Sequence, residues 1–404
     1  MIGISKLYCG TVEPSDVLRY GRRSDRLPSH LLQFSEDKKP VVVWNMTRAC
    51  NLTCRHCYAT ATAGPAPDEL TLTEAYTLID HLIEYKTPVV LFSGGEPMMH
   101  PHLLDLIERT VRGGPRAVLS TNGLLIDRDK ALRLKDLGLS YVGVSLDGLA
   151  ETHDEFRRLP GAFERTVRAM AVAREAGLKV GLRFTLSRRN VADLPGIFDL
   201  MEREGIPRVC FYHLVASGRG GGLGAETLSH EETRAAVDLI IDRTADLHRR
   251  GNLMEVLTVD NHADAPYLYL RMIEEGRLEE AEKVMELLRL NGGNSSGRGI
   301  AAVSWNGDVH PDQFWRNIVL GSIRDKNFSE IWHDRDNEFL MALKNKKDHV
   351  TGRCRDCRFL DVCGGNLRAR AEAATGDTWG VDPACYLTDA EIGLANVAWE
   401  QGRL

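Results

Sequence analysis

Short apolar runs alternate with amphipathic stretches through the first half of the chain. The first run, Val41-Val42-Val43-Trp44, has the length and the β-branched residues of a buried strand. Further runs predict strands at 89–92, 117–120, 141–146, 179–186 and 209–214, with helices at 71–84, 102–111, 128–137, 163–176 and 194–204. The first helix begins with a Thr-x-x-Glu capping box at Thr71 and Glu74. Because strands alternate with helices, we predict an α/β fold with a parallel, barrel-like sheet.

This alternation stops near residue 217. The glycine-rich segment 218–224 predicts a boundary or a mobile loop, and residues 229–290 predict helices. Residues 291–297 predict a second flexible segment, and an Asn-Gly turn predicts a hairpin across 300–310. The predicted regions are an N-terminal extension without a clear periodic element (1–39), the barrel (40–217), a helical linker region (218–299) and a C-terminal domain (300–404).

Composition narrows the class of protein. The chain has 404 residues, of which 43% are hydrophobic and 27% charged, and this suits one large or two medium globular domains. A net charge of -6 gives no general nucleic-acid-binding signature. No apolar run reaches membrane-spanning length, and the N-terminus lacks a signal-peptide pattern. Nine cysteines in such a chain indicate the cytoplasm and metal ligation rather than disulfides.

Three cysteines directly follow the first predicted strand. Cys50, Cys54 and Cys57 have a C-x3-C-x2-C spacing. Three thiolates can hold three corners of a [4Fe–4S] cluster, which leaves one iron open to a substrate or cofactor. A zinc site with His56 as its fourth ligand is the alternative.

A second cysteine group lies in the C-terminal domain. It consists of Cys354, Cys357, Cys363 and Cys385. Four thiolates satisfy every corner of a second cluster, and a four-cysteine zinc site is again the alternative. We expect Cys9 and Cys210, which stand apart from both groups, to be small apolar side chains rather than ligands.

Three more motifs follow the next three predicted strands. They are Gly94-Gly95-Glu96-Pro97, Ser120-Thr121-Asn122-Gly123 and Ser145-Leu146-Asp147-Gly148. Each motif alone is weak, but the ordered set with the cysteine loop resembles the radical S-adenosylmethionine (SAM) superfamily over residues 40–215. That resemblance implies a partial (βα)6 barrel of the TIM type.

The resemblance also implies roles for the motif residues. The iron left open by the three cysteines would chelate the amino and carboxylate groups of SAM. Contacts to SAM would come from Gly94, Gly95 and Glu96 at the methionyl ammonium, and from Asn122, Ser145 and Asp147 at the ribose or methionyl part. His56 would lie beside the adenine. Arg183 would pair with the SAM carboxylate, or alternatively close the barrel by pairing with Asp or Glu.

The chemistry implied is radical chemistry. A one-electron donor such as ferredoxin or flavodoxin would reduce the cluster, and SAM would be cleaved to methionine and a 5′-deoxyadenosyl radical. That radical would take a hydrogen atom from an unactivated carbon, while the protein supplies positioning and excludes water.

The C-terminal domain resembles the SPASM/twitch type of auxiliary cluster domain. SPASM domains of maturases usually carry two auxiliary clusters. This chain has Asp312 and Leu367 at two positions where that pattern expects cysteines of one cluster. We therefore predict one auxiliary [4Fe–4S] cluster, ligated by the four cysteines of the second group.

Several blocks resemble the tetrapyrrole-modifying branch of the superfamily. They are residues 1–9, 30–57, 211–220, 291–298 and 308–315. The resemblance is strongest to the deacetylases of 12,18-didecarboxysirohaem in the sirohaem-dependent haem pathway, which remove two acetate side chains to give Fe-coproporphyrin III. Related haem d1 enzymes remove propionates instead, and a radical SAM peptide maturase or a non-catalytic electron carrier are more distant alternatives. Gly94-Gly95-Glu96-Pro97 argues against a carrier, which needs no methionyl site.

The substrate implied by this resemblance is a polyanionic iron macrocycle, and further residues are candidates for binding it. Arg219 and Arg298 lie on the two glycine-rich segments and would bind its carboxylates. Tyr212 and His213 end the last predicted strand, where His213 would ligate the iron or donate a proton. The alternatives are arginines that are solvated loop charges, and a Tyr212-His213 pair that packs at the barrel rim.

Overall fold

The computed structural model describes residues 1–11, 39–222 and 224–394. Within these residues, eleven strands form one continuous sheet. The strands are β1 (Ile2–Gly3), β2 (Val41–Asn45), β3 (Val89–Ser93), β4 (Arg116–Thr121), β5 (Tyr141–Ser145), β6 (Val180–Leu186), β7 (Arg208–His213), β8 (Glu255–Val259), β9 (Ile300–Val303), β10 (Asp308–His310) and β11 (Gly321–Ser322). Their order across the sheet is β1-β8-β7-β6-β5-β4-β3-β2-β9-β10-β11.

Helices connect these strands and pack against the sheet through a shared apolar core. They are α1 (Ile4–Cys9), α2 (Leu72–Glu84), α3 (Leu103–Gly113), α4 (Arg128–Asp136), α5 (Ala150–Arg157), α6 (Ala162–Glu175), α7 (Leu194–Glu204), α8 (His230–Arg249), α9 (Asp264–Glu274), α10 (Leu278–Asn291), α11 (Phe328–Trp332), α12 (Glu338–Lys344), α13 (Leu360–Cys363) and α14 (Arg368–Thr375). Short 3-10 turns complete the connections.

The six predicted barrel strands, β2 to β7, pair in parallel with their neighbours in chain order. Most residues of these strands are buried, as expected when helices cover a parallel sheet. The capping box that starts α2 is present, because the Thr71 side chain accepts a hydrogen bond from the Glu74 backbone N–H. The prediction of a partial (βα)6 barrel is confirmed, and all six loops that follow its strands meet at one rim.

Residues 229–290 contain the predicted helices, but also one strand that was not predicted. The run Glu255–Val259 forms β8, which pairs in parallel with β7, and all five of its residues are buried. A helical linker would have left the backbone groups on the outer edge of β7 without hydrogen-bonding partners. Strand β8 supplies those partners. Short apolar runs next to long helices are ambiguous in the sequence alone.

The N-terminal residues also join the sheet, although no element was predicted there. Ile2 pairs with Thr258 of β8 in an antiparallel ladder, and helix α1 follows directly. Ile4 and Leu7 of that helix are buried in the main core. The rest of the predicted N-terminal extension, from residue 12 to residue 38, lies outside the described residues.

The C-terminal domain is attached to the opposite edge of the barrel. Strand β9 pairs in parallel with β2, and β9 and β10 form the predicted hairpin around Asn306-Gly307. The segment 291–297 is not a free linker. A Cβ on Gly293 would lie 2.1 Å from the backbone carbonyl carbon of Cys363, so this segment packs directly against the second cysteine group. The cysteine-bearing loops of both halves are therefore fixed to one sheet.

Candidate active site and auxiliary cluster site

A cavity of about 170 Å³ opens at the rim where the barrel strands end. Most of the predicted site residues line it: Cys50, Cys54, His56, Cys57, Gly94, Gly95, Asn122, Ser145, Asp147, Arg183, Tyr212, His213 and Arg219. We call this the main cavity. The residues come from the loops after β2, β3, β4, β5 and β7 and from strands β5, β6 and β7 themselves, so the parallel barrel is what brings them together.

The cysteine loop is held against the next strand loop by close backbone contact. The backbone N–H of Gly95 donates to Thr47 O at 2.7 Å, and that of Glu96 donates to Ala49 O at 2.7 Å. A Cβ on Gly95 would lie 2.2 Å from Ala49 O, so only glycine permits this approach. The Gly-Gly pair therefore fixes the position of the cysteine loop.

The three thiols of this loop fit an iron–sulfur cluster by chemistry and by surroundings. All three face the main cavity. Burial raises the pKa of the Cys50 thiol to about 12, so a thiolate persists there only beside a strong positive charge such as iron. Among the described residues, no group of three His, Cys, Asp or Glu side chains is arranged to hold a single metal ion.

Arg157 is a central residue of the site that sequence reasoning missed. It ends α5, and its Nη1 donates to Cys54 Sγ at 3.4 Å while its Nη2 lies 2.5 Å from Asp147 Oδ2. His56 Nε2 lies 3.4 Å from Asp147 Oδ1 on the other side. Burial alone would raise the pKa of Asp147, but Arg157 and His56 outweigh it and hold that pKa well below its usual range. Arg157 thus couples the cysteine loop to the loop after β5, and no motif in the sequence marks it.

Glu96 is fully buried behind the cavity wall and does not line the main cavity. Its Oε1 accepts from Thr121 Oγ1 at 2.7 Å and from the Met98 N–H at 3.0 Å, while its Oε2 accepts from the Asn122 N–H at 2.8 Å. Burial raises its pKa, and these hydrogen bonds oppose that shift. Glu96 therefore links the loop after β3 to the loop after β4. Its carboxylate does not reach the main cavity, where it was predicted to contact SAM.

Arg183 lies in β6 with its guanidinium 4.8 Å from the centre of the Tyr212 ring. No carboxylate forms an ion pair with it in the part of the chain that the structure describes, so the alternative of a barrel-closing pair is not observed there. A cation that stacks on an aromatic ring and faces a cavity is available to an anionic ligand.

His213 ends β7 and is nearly buried, with 6% of its surface exposed. Its Nε2 lies 2.9 Å from Oδ2 of Asp264, the first residue of α9. This partner was not predicted, because α9 follows the strand that the sequence did not reveal.

Asp260 is a second site residue that was not predicted, because it follows the unpredicted strand β8. It directly follows β8, lines the main cavity and has a φ of 66°, which is unusual for a residue other than glycine. Among the described residues, no hydrogen-bond partner reaches its buried Oδ2, and burial raises the pKa of its carboxyl to about 6. Had β8 been recognised, an aspartate at its carboxyl end would have been a natural candidate.

The two predicted substrate arginines differ in position. Arg219 lines the main cavity, but its Nε donates to Cys54 O at 2.9 Å and its Nη1 donates to Ala61 O at 2.8 Å. These contacts brace the cysteine loop, and within the described residues Nη2 of Arg219 is left without a hydrogen-bond partner. Arg298 is exposed and does not line the cavity, because Gly297 before it packs against Leu343 of the C-terminal domain. The structure does not support the prediction for Arg298.

The second cysteine group also converges. Cys354, Cys357, Cys363 and Cys385 line one small pocket, here called the four-cysteine pocket. Burial raises the pKa of Cys363 to about 12 and that of Cys385 to about 11. Four thiols around an apolar pocket, of which that of Cys354 is buried and the others are half-buried, fit a fully ligated cluster by the same argument as in the main cavity.

The two positions where cysteines were expected carry ordinary packing. Leu367 is buried in a small apolar cluster with Trp315 and Leu343. Asp312 is buried, and its Oδ2 accepts from Ser296 Oγ at 2.5 Å. This packing agrees with the prediction of a single auxiliary cluster, which stays a prediction.

Comparison with known proteins identifies the class that the barrel and the cysteine sites define. The model of the radical SAM superfamily matches residues 44–201, and that of an iron–sulfur cluster-binding domain, SPASM, matches residues 295–358. The first domain implies a [4Fe–4S] cluster and SAM, and the second implies auxiliary iron–sulfur clusters. These matches favour iron–sulfur over the zinc alternatives.

Two curated relatives specify the family. The chain is 58% identical over 396 residues to Fe-coproporphyrin III synthase of Methanosarcina barkeri, covering 97% of this chain and 99% of that protein. It is 39% identical to pre-heme d1 synthase of Dinoroseobacter shibae, covering 88% of each. The chain belongs to this family of radical SAM enzymes of haem biosynthesis.

Solved structures agree on the fold. A structure described as native anSMEcpe with bound AdoMet and Cp18Cys peptide has a TM-score of 0.67 at 18% identity, covering 90% of this chain and 98% of that chain. Streptococcus suis SuiB has a TM-score of 0.67 at 16% identity, covering 87% of this chain and 78% of that chain. In the described residues, no helix is long and apolar enough to cross a membrane.

Proposed function

We propose that this enzyme removes two acetate side chains from 12,18-didecarboxysirohaem to give Fe-coproporphyrin III. The observation that carries the proposal is the 58% identity to Fe-coproporphyrin III synthase across almost the whole of both chains. The chemistry supplied by the bound cluster and SAM is reductive cleavage to methionine and a 5′-deoxyadenosyl radical, which takes a hydrogen atom from carbon.

The residues of the main cavity would hold the cluster and bind SAM. Cys50, Cys54 and Cys57 would hold the cluster, and the Gly94-Gly95 backbone would bind the methionyl part of SAM. The side chains that would orient the rest of SAM are Asn122, Ser145, Asp147 and His56. Arg183 would pair with the SAM carboxylate, because it is a half-buried cation that faces the cavity without a carboxylate partner in the described residues. Tyr212 would pack beside it at the substrate end.

The four-cysteine pocket would hold one auxiliary [4Fe–4S] cluster. All four thiols line the pocket, and Cys9 and Cys210 lie elsewhere. The electron donor would be a ferredoxin or flavodoxin, since the reaction needs single electrons. A cytoplasmic location is proposed because the nine cysteines are free thiols, which suits a reducing compartment.

Mass spectrometry of the product tests this proposal. The anaerobically reconstituted enzyme is incubated with SAM, dithionite and 12,18-didecarboxysirohaem, and a mass decrease equal to two acetate units is expected. Cys54→Ala should abolish the reaction, whereas Cys9→Ala is the matched control, because Cys9 lies on α1 outside both cysteine groups. An unchanged substrate mass would refute the deacetylase assignment, and loss of propionate units would favour the haem d1 type of reaction.

A further inference from the structure

The contacts of His213 extend from the main cavity into the C-terminal domain. Asp264 Oδ2 lies 2.9 Å from His213 Nε2, and Asp264 Oδ1 accepts a hydrogen bond from Tyr386 Oη at 2.8 Å. Asp264 has no exposed surface, and Tyr386 has only 2% exposed. Burial and the nearby Asp264 raise the pKa of Tyr386 far above its usual range, so its hydroxyl remains a donor. The imidazole is therefore held through a carboxylate that is itself held by a phenol.

This arrangement ties His213 to the auxiliary site as well. Tyr386 directly follows Cys385, which lines the four-cysteine pocket. The Tyr386 ring also packs edge-on against Tyr267 of α9, with 5.3 Å between ring centres. The orientation of His213 thus depends on β7, on α9 and on the loop that carries Cys385.

The second ring nitrogen of His213 remains available. In the described part of the chain, Nδ1 has no hydrogen-bond partner, and the residue lines the main cavity. His310 shows the contrast, since its Nε2 lies 2.7 Å from Ser304 Oγ and its Nδ1 lies 2.8 Å from Ile318 O. An imidazole whose far nitrogen donates to a buried carboxylate presents an unprotonated near nitrogen, which is the usual form of a histidine that ligates a metal.

We propose that His213, oriented by Asp264 and Tyr386, ligates the iron of the tetrapyrrole through Nδ1. This inference rests on the proposed function, because it takes an iron tetrapyrrole as the substrate. Neutral histidine is a common axial ligand of haem iron, and a carboxylate on its other nitrogen increases its basicity. Asp264 and Tyr386 are positioning residues in this account, since they act through His213.

Binding of ferric coproporphyrin III and of metal-free coproporphyrin III to the holoenzyme tests the proposal. We expect His213→Gln to weaken binding of the iron form by about tenfold or more while the metal-free form binds as before. His310→Gln is the matched control and should change neither affinity. An equal loss for both porphyrins would overturn the proposal, because it would mean that His213 only packs against the ring.

Resonance Raman spectroscopy of the reduced complex supplies a direct signature. The wild-type enzyme should show an iron–histidine stretching band that is lost in His213→Gln and restored by free imidazole in His213→Gly. Asp264→Asn, if it folds, should shift this band to lower frequency, because an amide oxygen is a weaker acceptor than a carboxylate. Tyr386→Phe removes the hydroxyl that donates to Asp264 Oδ1 and should shift the band to higher frequency, because the carboxylate then accepts more strongly from His213. A band that persists in His213→Gln would refute ligation, and a band unmoved in Tyr386→Phe and Asp264→Asn would refute the positioning role.

The same preparations separate this inference from the proposed function. If the wild-type enzyme converts 12,18-didecarboxysirohaem but shows no iron–histidine band, ligation by His213 is wrong and the deacetylase function stands. If the band is present but no acetate is lost, the proposed function is wrong and ligation of an iron tetrapyrrole stands.

Discussion

Replacing Arg157 by Met should destabilise the protein strongly, because it leaves the buried carboxylate of Asp147 without its arginine partner. The side chains of Arg157 and Asp147 are 8% and 1% exposed, and their Nη2 and Oδ2 atoms lie 2.5 Å apart. Removing one partner of such a buried pair typically costs about 3–5 kcal/mol, since the other charge stays buried, and the longer contact of Asp147 Oδ1 with His56 Nε2 at 3.4 Å offsets only part of this loss. Methionine retains much of the arginine's apolar volume, so the loss is mainly electrostatic.

The size of this loss can be expressed as a melting temperature. With about 2.1 cal/mol/K of unfolding entropy per residue, a chain of 404 residues has about 0.85 kcal/mol/K. The expected destabilisation therefore lowers the melting temperature by about 4–6 °C, as measured by circular dichroism on the anaerobically reconstituted enzyme without SAM. Arg112→Met is the matched control, because Arg112 is 77% exposed and pairs with Glu108 on the surface.

The effect should also depend on pH with a defined sign. In the wild-type protein the pKa of Asp147 is depressed, so the stabilisation by Arg157 is present above the unfolded value of about 4 and fades as pH falls through the folded value. In Arg157→Met, burial acts without the arginine and raises that pKa, so the folded variant gains stability by taking up a proton at lower pH. The difference from wild type should therefore be smaller at pH 5.5 than at pH 7.5.

A double variant decides whether the pair is responsible. Arg157→Met combined with Asp147→Asn removes both charges and should recover much of the loss seen in the single variant. A decrease in melting temperature no larger than that of Arg112→Met would contradict this reasoning. So would a double variant that melts no higher than Arg157→Met.

Three other perturbations follow from the site. Gly95→Ala should displace the cysteine loop, because its Cβ would lie 2.2 Å from Ala49 O, and iron bound per chain should fall by about half; Gly221→Ala, which meets nothing within 4 Å, should keep its iron. Cys363→Ser should remove the auxiliary cluster signal while the electron paramagnetic resonance signal of the SAM-binding cluster remains. Asp260→Asn should remove one protonation step near pH 6 from the potentiometric titration curve of the protein, since burial raises the pKa of this carboxyl to about 6 and the amide does not titrate.

Sequence patterns predicted the parts of this protein in which local signals agree with the fold. The β2 to β7 alternation, the capping box of α2 and both cysteine groups are each specified by neighbouring residues. The strand-end motifs converge because a parallel barrel places every such loop at the same rim.

The errors arise where contacts between distant segments decide the structure. Strand β8 forms because the edge of β7 needs a partner, and Asp260 and Asp264 reach the site only through it. Arg157 has no motif, since its role depends on how α5 packs beside the cysteine loop. Arg298 does not line the main cavity, because its segment packs against α12, and this packing is not encoded locally.

The most direct test of the central claim measures 5′-deoxyadenosine and tetrapyrrole products together over time. The enzyme is supplied anaerobically with SAM, a one-electron reductant and 12,18-didecarboxysirohaem. The account predicts that Fe-coproporphyrin III appears together with one 5′-deoxyadenosine for each acetate side chain removed. It would be contradicted by 5′-deoxyadenosine accumulating while the tetrapyrrole stays unchanged, or by the same product forming with the Cys54→Ala variant.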